Sequence, residues 1–131
     1  MTERTLNAHY RDYIRCLNRQ QWTELDRFVS PSLIYNGVKK NFEDYKLLLV
    51  DNFLKILNLQ FDIGTLIVDG ERLAARLLFE CNPTDDFLGL PVGGRRVSFA
   101  ENVFYRFGDG RIEEVWSVID KMAIEAQLLN V

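Results

Sequence analysis

Residues 95–119 read RRVSFAENVFYRFGDGRIEEVWSVI. Two alternating runs, Arg95–Phe107 and Arg111–Ile119, flank Gly108-Asp109-Gly110. Period-two alternation on both sides of a glycine-bearing break predicts a β-hairpin. A three-residue loop with glycine last suits a type I turn followed by a bulge. With Phe107 opposite Arg111, the register places Glu101 opposite Ser117 and Val103 opposite Val115. Alternation puts Phe99, Glu101, Val103 and Tyr105 on one face of the first strand.

A second hairpin is expected upstream, where Leu59–Val68 and Arg72–Cys81 alternate around Asp69-Gly70. The segment between the hairpins, residues 82–94, is rich in turn formers and carries Phe87, Leu88 and Leu90. Apolar loop residues usually pack on something, so this loop is expected to cover a sheet edge or a pocket mouth. Ahead of the hairpins the period becomes helical. Leu6, Tyr10, Tyr13, Ile14 and Leu17 share one face of a helix over residues 3–19, capped by Thr2. A short helix follows from Trp22 to Val29, burying Trp22, Leu25, Phe28 and Val29 and stopped by Ser30-Pro31. Residues 32–36 are β-prone and end at Gly37. Asn41 then caps a third helix with Phe42, Tyr45, Leu48, Leu49, Phe53 and Ile56 at helical spacing. The tail, Asp120–Leu129, reads as a short amphipathic helix capped by Asp120.

Helices first and four long antiparallel strands after them define an α+β domain. Strands longer than average coil, and a coiled sheet wrapped around a long helix encloses a cone-shaped interior. The 131 residues are read as one domain, 47% hydrophobic, enough to build its own core. The net charge of −3, with the two signs interspersed, argues against a nucleic-acid partner. No apolar run approaches the roughly 20 residues of a membrane helix. The opening residues do not resemble a signal peptide, and Cys16 and Cys81 match no metal spacing. Both are expected as reduced thiols in a cytoplasmic protein, and no metal site is expected.

Several strings together resemble a known family. They are Phe87–Arg95 (FLGLPVGGR), Phe104–Trp116 (FYRFGDGRIEEVW), Asp120 ahead of Gln127-Leu128, and Asn36-Gly37 after the second helix. The chain resembles the SnoaL-like polyketide cyclases of the nuclear-transport-factor-2-like superfamily over nearly its whole length. The resemblance implies a cone-shaped α+β barrel with a pocket between sheet and helices, and a homodimer through the outer sheet face. It also implies ring closure by intramolecular aldol chemistry with neither metal nor cofactor. Such cyclases use an aspartate as acid/base beside a histidine. The aspartate directly follows the tryptophan of the last strand, where this chain has Ser117. The histidine falls where it has Val103. Serine and valine cannot do that work.

Proton abstraction next to a carbonyl needs a base and something to steady the enolate. If Val103 and Ser117 line the pocket, Glu101 on the same face lines it too. A carboxylate in an apolar pocket has its charged form disfavoured, which raises its pKa into a useful range. Glu101 is therefore the candidate base, with Tyr35 or Ser117 as hydrogen-bond donor. Asp120 is a further candidate acid/base that a helix cap would equally explain. Asn36, Val103, Tyr105, Phe87 and Leu90 are candidate pocket residues. The ligand implied is a hydrophobic small molecule bearing a carbonyl. Two functions stay open from sequence: a cyclase or isomerase using Glu101, and a binding or assembly module that kept the pocket and lost catalysis.

Overall fold

The structure is a computed structural model that describes residues 1–129. The elements in chain order are α1 (Glu3–Asn18), a 3₁₀ turn (Trp22–Arg27), β1 (Val29–Tyr35), β2 (Val38–Asn41), α2 (Phe42–Lys55), β3 (Ile56–Leu57), β4 (Asp62–Asp69), β5 (Arg72–Pro83), β6 (Val97–Gly108), β7 (Arg111–Ile119) and α3 (Lys121–Leu129). The sheet runs β2-β1-β7-β6-β5-β3, and β4 also pairs with β5. It is antiparallel except where β1 runs parallel to β7. The result is a curled α+β half-barrel with the N-terminal helices on its concave side, the cone-shaped fold expected from sequence.

Thr2 caps α1 by accepting the Thr5 N–H at 3.2 Å, and Asn41 caps α2 by accepting the Asp44 N–H at 2.8 Å. Each such cap is worth about 1 kcal/mol. The buried face of α1, Leu6, Tyr10, Tyr13, Ile14 and Leu17, packs into the sheet. Alternate residues of β5 and β6, including Leu73, Leu77, Phe79, Phe99, Val103, Tyr105 and Phe107, supply the other side of the core.

Four readings change. The second helix is a 3₁₀ turn that ends at Arg27, and Val29 already belongs to β1. The carbonyl of Phe28 accepts the Ile112 N–H at 2.7 Å, so pairing with β7 takes the chain from its helical path there. Trp22 is accordingly only half-buried. A short β2 appears after Asn36-Gly37, whose φ of 48° and 82° make a two-residue turn joining it to β1. The hairpin after β6 is tighter than a three-residue loop, with Gly108 pairing with Arg111. Only Asp109 and Gly110 form the turn, at φ of 51° and 76°.

The fourth change follows from the third. The register slips between Arg106 and Phe107, which pair with Glu114 and Ile112, so Glu113 is an extra, bulged residue. Val103 therefore stands opposite Ser117, and Glu101 opposite Ile119, not Ser117. The shorter turn and the bulge each move the register by one residue. Together they move it by two, which restores every side chain to its original face.

Two glycines at this hairpin separate conformation from space. Gly110 has positive φ, which a side chain resists, whereas Gly108 does not. The nearest atoms to a Cβ at Gly108 are those of the Glu113 carboxylate, the end of a flexible side chain. Gly110→Ala is expected to lose about 1–2 kcal/mol of stability. Gly108→Ala displaces that carboxylate from Arg106, a partly exposed pair, and should lose less than about 1 kcal/mol. Urea denaturation of both variants checks this, and equal losses would contradict the turn assignment.

Candidate functional site

A cavity of about 200 Å³ lies between the concave face of the sheet, α2 and the loop over residues 84–96. α2 and the residue after it present Leu48, Asn52 and Ile56 at four-residue spacing, so one helical face forms a wall. The sheet contributes Tyr35, Phe79, Phe99, Glu101 and Ile119. Phe61 and Leu59 close one side, and Phe87 and Leu88 of the loop close another. Phe79 and Phe99 stack at 5.2 Å between centroids, and Phe87 packs on Phe99 at 5.6 Å. Such pairs add about 0.5–1.5 kcal/mol each beyond the area they bury. They make this wall stiff and apolar.

Glu101 is the one carboxylate among the lining residues. Ser117 Oγ donates a hydrogen bond to Glu101 Oε2. The two are diagonal neighbours across the β6–β7 ladder, because the register sets Ser117 opposite Val103. Burial pushes the Glu101 carboxyl above its ordinary value of 4.5, and the Ser117 hydrogen bond holds back part of that rise. Burial likewise raises the phenol of Tyr35, the charge of Glu101 adds to it, and a hydrogen bond with Ser117 opposes both. The hydroxyl of Ser117 is spent on the carboxylate. The N–H of Ser117 donates to Asn36 Oδ1 at 2.7 Å, which pins the strand to the turn after β1.

The structure brings Glu101, Ser117 and Tyr35 together, with Phe87 on the same cavity. The other sequence candidates lie elsewhere. Asn36 sits in the β1–β2 turn and spends its side chain on the Ser117 N–H. Val103 and Tyr105 are buried deeper, where Tyr105 shares a 3.0 Å hydrogen bond with Tyr10 of α1. Leu90 pairs its backbone with Phe87 and packs on the core, while Leu88 faces the cavity in its place. Asp120 accepts the Ala123 N–H at 3.2 Å and lines a groove on the outer face with Arg76, Leu78 and Glu80. It caps α3 away from the cavity. Asn52 was passed over by the sequence reading. Its signal is a polar residue at a position where α2 should bury an apolar one. Cys16 and Cys81 form no disulfide, and burial pushes the Cys81 thiol up to about 11.

The coiled sheet and the helices thus enclose an apolar cavity whose lining includes one carboxylate. A family model described as SnoaL-like polyketide cyclase matches residues 7–128. The chain belongs to this family. It is similar to a SnoaL-like polyketide cyclase from Agrobacterium tumefaciens at 45% identity, covering 98% of this chain and 99% of that one, with a TM-score of 0.93. AclR from Streptomyces galilaeus shares the fold at 20% identity over 99% of each chain, with a TM-score of 0.79. TsrD from Streptomyces laurentii shares it at 22% identity over 95% of this chain and 92% of that one, with a TM-score of 0.77. No curated protein matches the chain. No helix among the described residues is long and apolar enough to cross a membrane.

Because the Glu101 carboxyl is raised, the folded chain keeps this proton to a higher pH than the unfolded chain does. From 4.5 up to the raised value the folded state binds more protons, so this group's contribution falls as pH rises. Glu101→Gln removes that loss. Its stability relative to the parent is expected to improve as pH climbs above 4.5 and then level off. Urea midpoints of both proteins across this range measure the difference, and a pH-independent difference would contradict the burial of the charge.

Proposed function

We propose that the chain is an acid/base enzyme of the SnoaL-like kind, acting on a hydrophobic carbonyl compound bound in the cavity beside Glu101. The observation that carries this reading is the single carboxylate on an apolar wall, raised by burial and held by Ser117. Ionised Glu101 would take a proton from the carbon next to the carbonyl, leaving an enolate. The Tyr35 phenol would donate a hydrogen bond to the enolate oxygen. In ring closure the enolate carbon then forms a bond to a second carbonyl carbon, and the resulting alkoxide takes the proton back from Glu101. In isomerisation the proton returns to a different carbon. Ser117 holds the carboxylate in one orientation, and the aromatic walls exclude water from it. The chemistry would run in the cytoplasm with the thiols reduced.

A second reading has its own observation. Ser117 and Val103 stand where the family's aspartate and histidine are expected, which suits a binding module without turnover. One assay separates the two readings. Deuterium exchange at the α-carbons of 2-tetralone, a two-ring ketone, is followed by proton NMR. The parent should accelerate exchange, and Glu101→Gln should lose at least about a hundredfold of that acceleration while binding the ketone nearly as well. Equal exchange by both proteins would remove Glu101 from the mechanism. Binding without any exchange by the parent would favour the module.

The outer face of the sheet supports assembly of two copies. Phe104 pairs across the ladder with Trp116 and with Ala74, and Ala74 pairs with Ile67. Phe104, Trp116, Ile67 and Val118 are exposed by 64%, 47%, 60% and 69%. An apolar band of this kind across four strands fits a self-complementary contact. Sedimentation should find a dimer at micromolar concentration and a monomer for Phe104→Glu. A monomeric parent would refute the assembly and leave the cavity chemistry untouched.

A further inference from the structure

Asn52 is the one polar side chain that α2 turns toward the cavity. It sits one helical turn after Leu48 and one before Ile56, both of which line the same space. That face of α2 is otherwise apolar, and the half-buried Asn52 amide is left open to water or to a ligand in the cavity. Every other asparagine among the described residues has a side-chain hydrogen bond. Asn7 accepts from Arg11, Asn18 bonds Phe61, Asn36 bonds Ser117, Asn41 caps α2, Asn58 and Asn82 bond each other, and Asn102 accepts from Arg76. Asn52 has none among the described residues.

The cavity lining therefore holds three polar side chains on two walls. Glu101 and Tyr35 stand on the sheet wall, and Asn52 stands on the helix wall. The space between them is compact. A cavity of about 150 Å³ holds one benzene ring, so the 200 Å³ here takes one or two rings. A four-ring skeleton exceeds this volume.

We propose that Asn52 is a specificity-determining residue that hydrogen-bonds a second oxygen function of a compact, one- or two-ring ligand whose carbonyl lies at Glu101. This rests on the reading of the cavity as the ligand site. The amide can donate and accept, so it suits a hydroxyl or a second carbonyl. An asparagine that reads an oxygen from a half-buried position gives a modest preference, because water can take the place of the missing oxygen.

The test is a binding cycle with 2-tetralone and its 5-, 6- and 7-hydroxy derivatives, measured by calorimetry on the intact protein. The parent should bind at least one hydroxy derivative several-fold, up to about tenfold, more tightly than 2-tetralone. That gain should vanish in Asn52→Leu, persist in Glu101→Gln, and be partly kept in Asn52→Gln. Oestrone, a four-ring ketone, should not compete. Circular dichroism melts confirm that each variant is folded, and 2-tetralone itself should still bind Asn52→Leu. A gain that survives in Asn52→Leu, the lack of any gain in the parent, or tight oestrone binding would overturn this proposal and leave the acid/base reading standing. If no tetralone binds the parent, the ligand-site reading fails and this proposal fails with it.

Discussion

The bulge at Glu113 sets which side chains of β6 and β7 meet. It inserts one residue into β7 directly after a turn that is one residue tighter than the sequence suggests. Arg106 holds the distorted segment by donating to Glu113 at 2.6 Å and to Glu114 at 3.2 Å. Because β6 is held by its own pairing with β5, a slip by a single residue would turn Ser117 and Val115 of β7 out to solvent and bring Trp116 and Val118 in. The bulge and the tight turn compensate each other, so Ser117 stays inside at the side of the carboxylate. Everything argued about the cavity depends on that parity.

Burying a carboxylate is costly, and the surroundings show how the cost is contained. Burial raises the phenols of all five tyrosines of the chain, and the charge of Glu101 adds a smaller rise to each. Tyr13 and Tyr45 share a 2.8 Å hydrogen bond between α1 and α2, and Tyr10 and Tyr105 share one of 3.0 Å between α1 and β6. Tyr35 packs on Tyr45 at 5.9 Å between ring centroids. These pairs satisfy polar atoms inside the core and lock helices to sheet without introducing another charge. Among the described residues, only the Ser117 hydroxyl makes a direct hydrogen bond to the carboxylate. A single neutral donor leaves the carboxyl inclined to keep its proton, which suits a group that accepts and returns protons.

Much of this was readable in the residues. Alternation in Val97–Phe107 and in Arg111–Ile119 marks the hairpin, and helical spacing from Leu6 to Leu17 marks α1. Face assignment followed from parity alone, which is why Glu101 and Ser117 could be grouped from a register that was two residues off. The bulge itself leaves no period in the sequence, since Glu113 and Glu114 are alike. Asn36-Gly37 carried a turn signal, and the short β2 after it follows from positive φ at both positions. Depth was harder. Val103, Tyr105 and Glu101 share a face, yet only Glu101 reaches the cavity, because α1 fills the space over the other two. Asp120 fits both a cap and an acid in sequence, and the path of the chain after β7 decides for the cap. Asn52 interrupts an apolar helix face, a signal visible only once the face is known to line a cavity.

The central claim is that Glu101 is a proton-holding carboxyl in an apolar wall, restrained by Ser117. Carbon-13 NMR of labelled glutamate, assigned by comparison with Glu101→Gln, reads its titration directly. The account predicts a midpoint above 4.5 in the parent and a further rise in Ser117→Ala, where the opposing hydrogen bond is gone. A midpoint at or below 4.5, unmoved by the loss of Ser117, would contradict it.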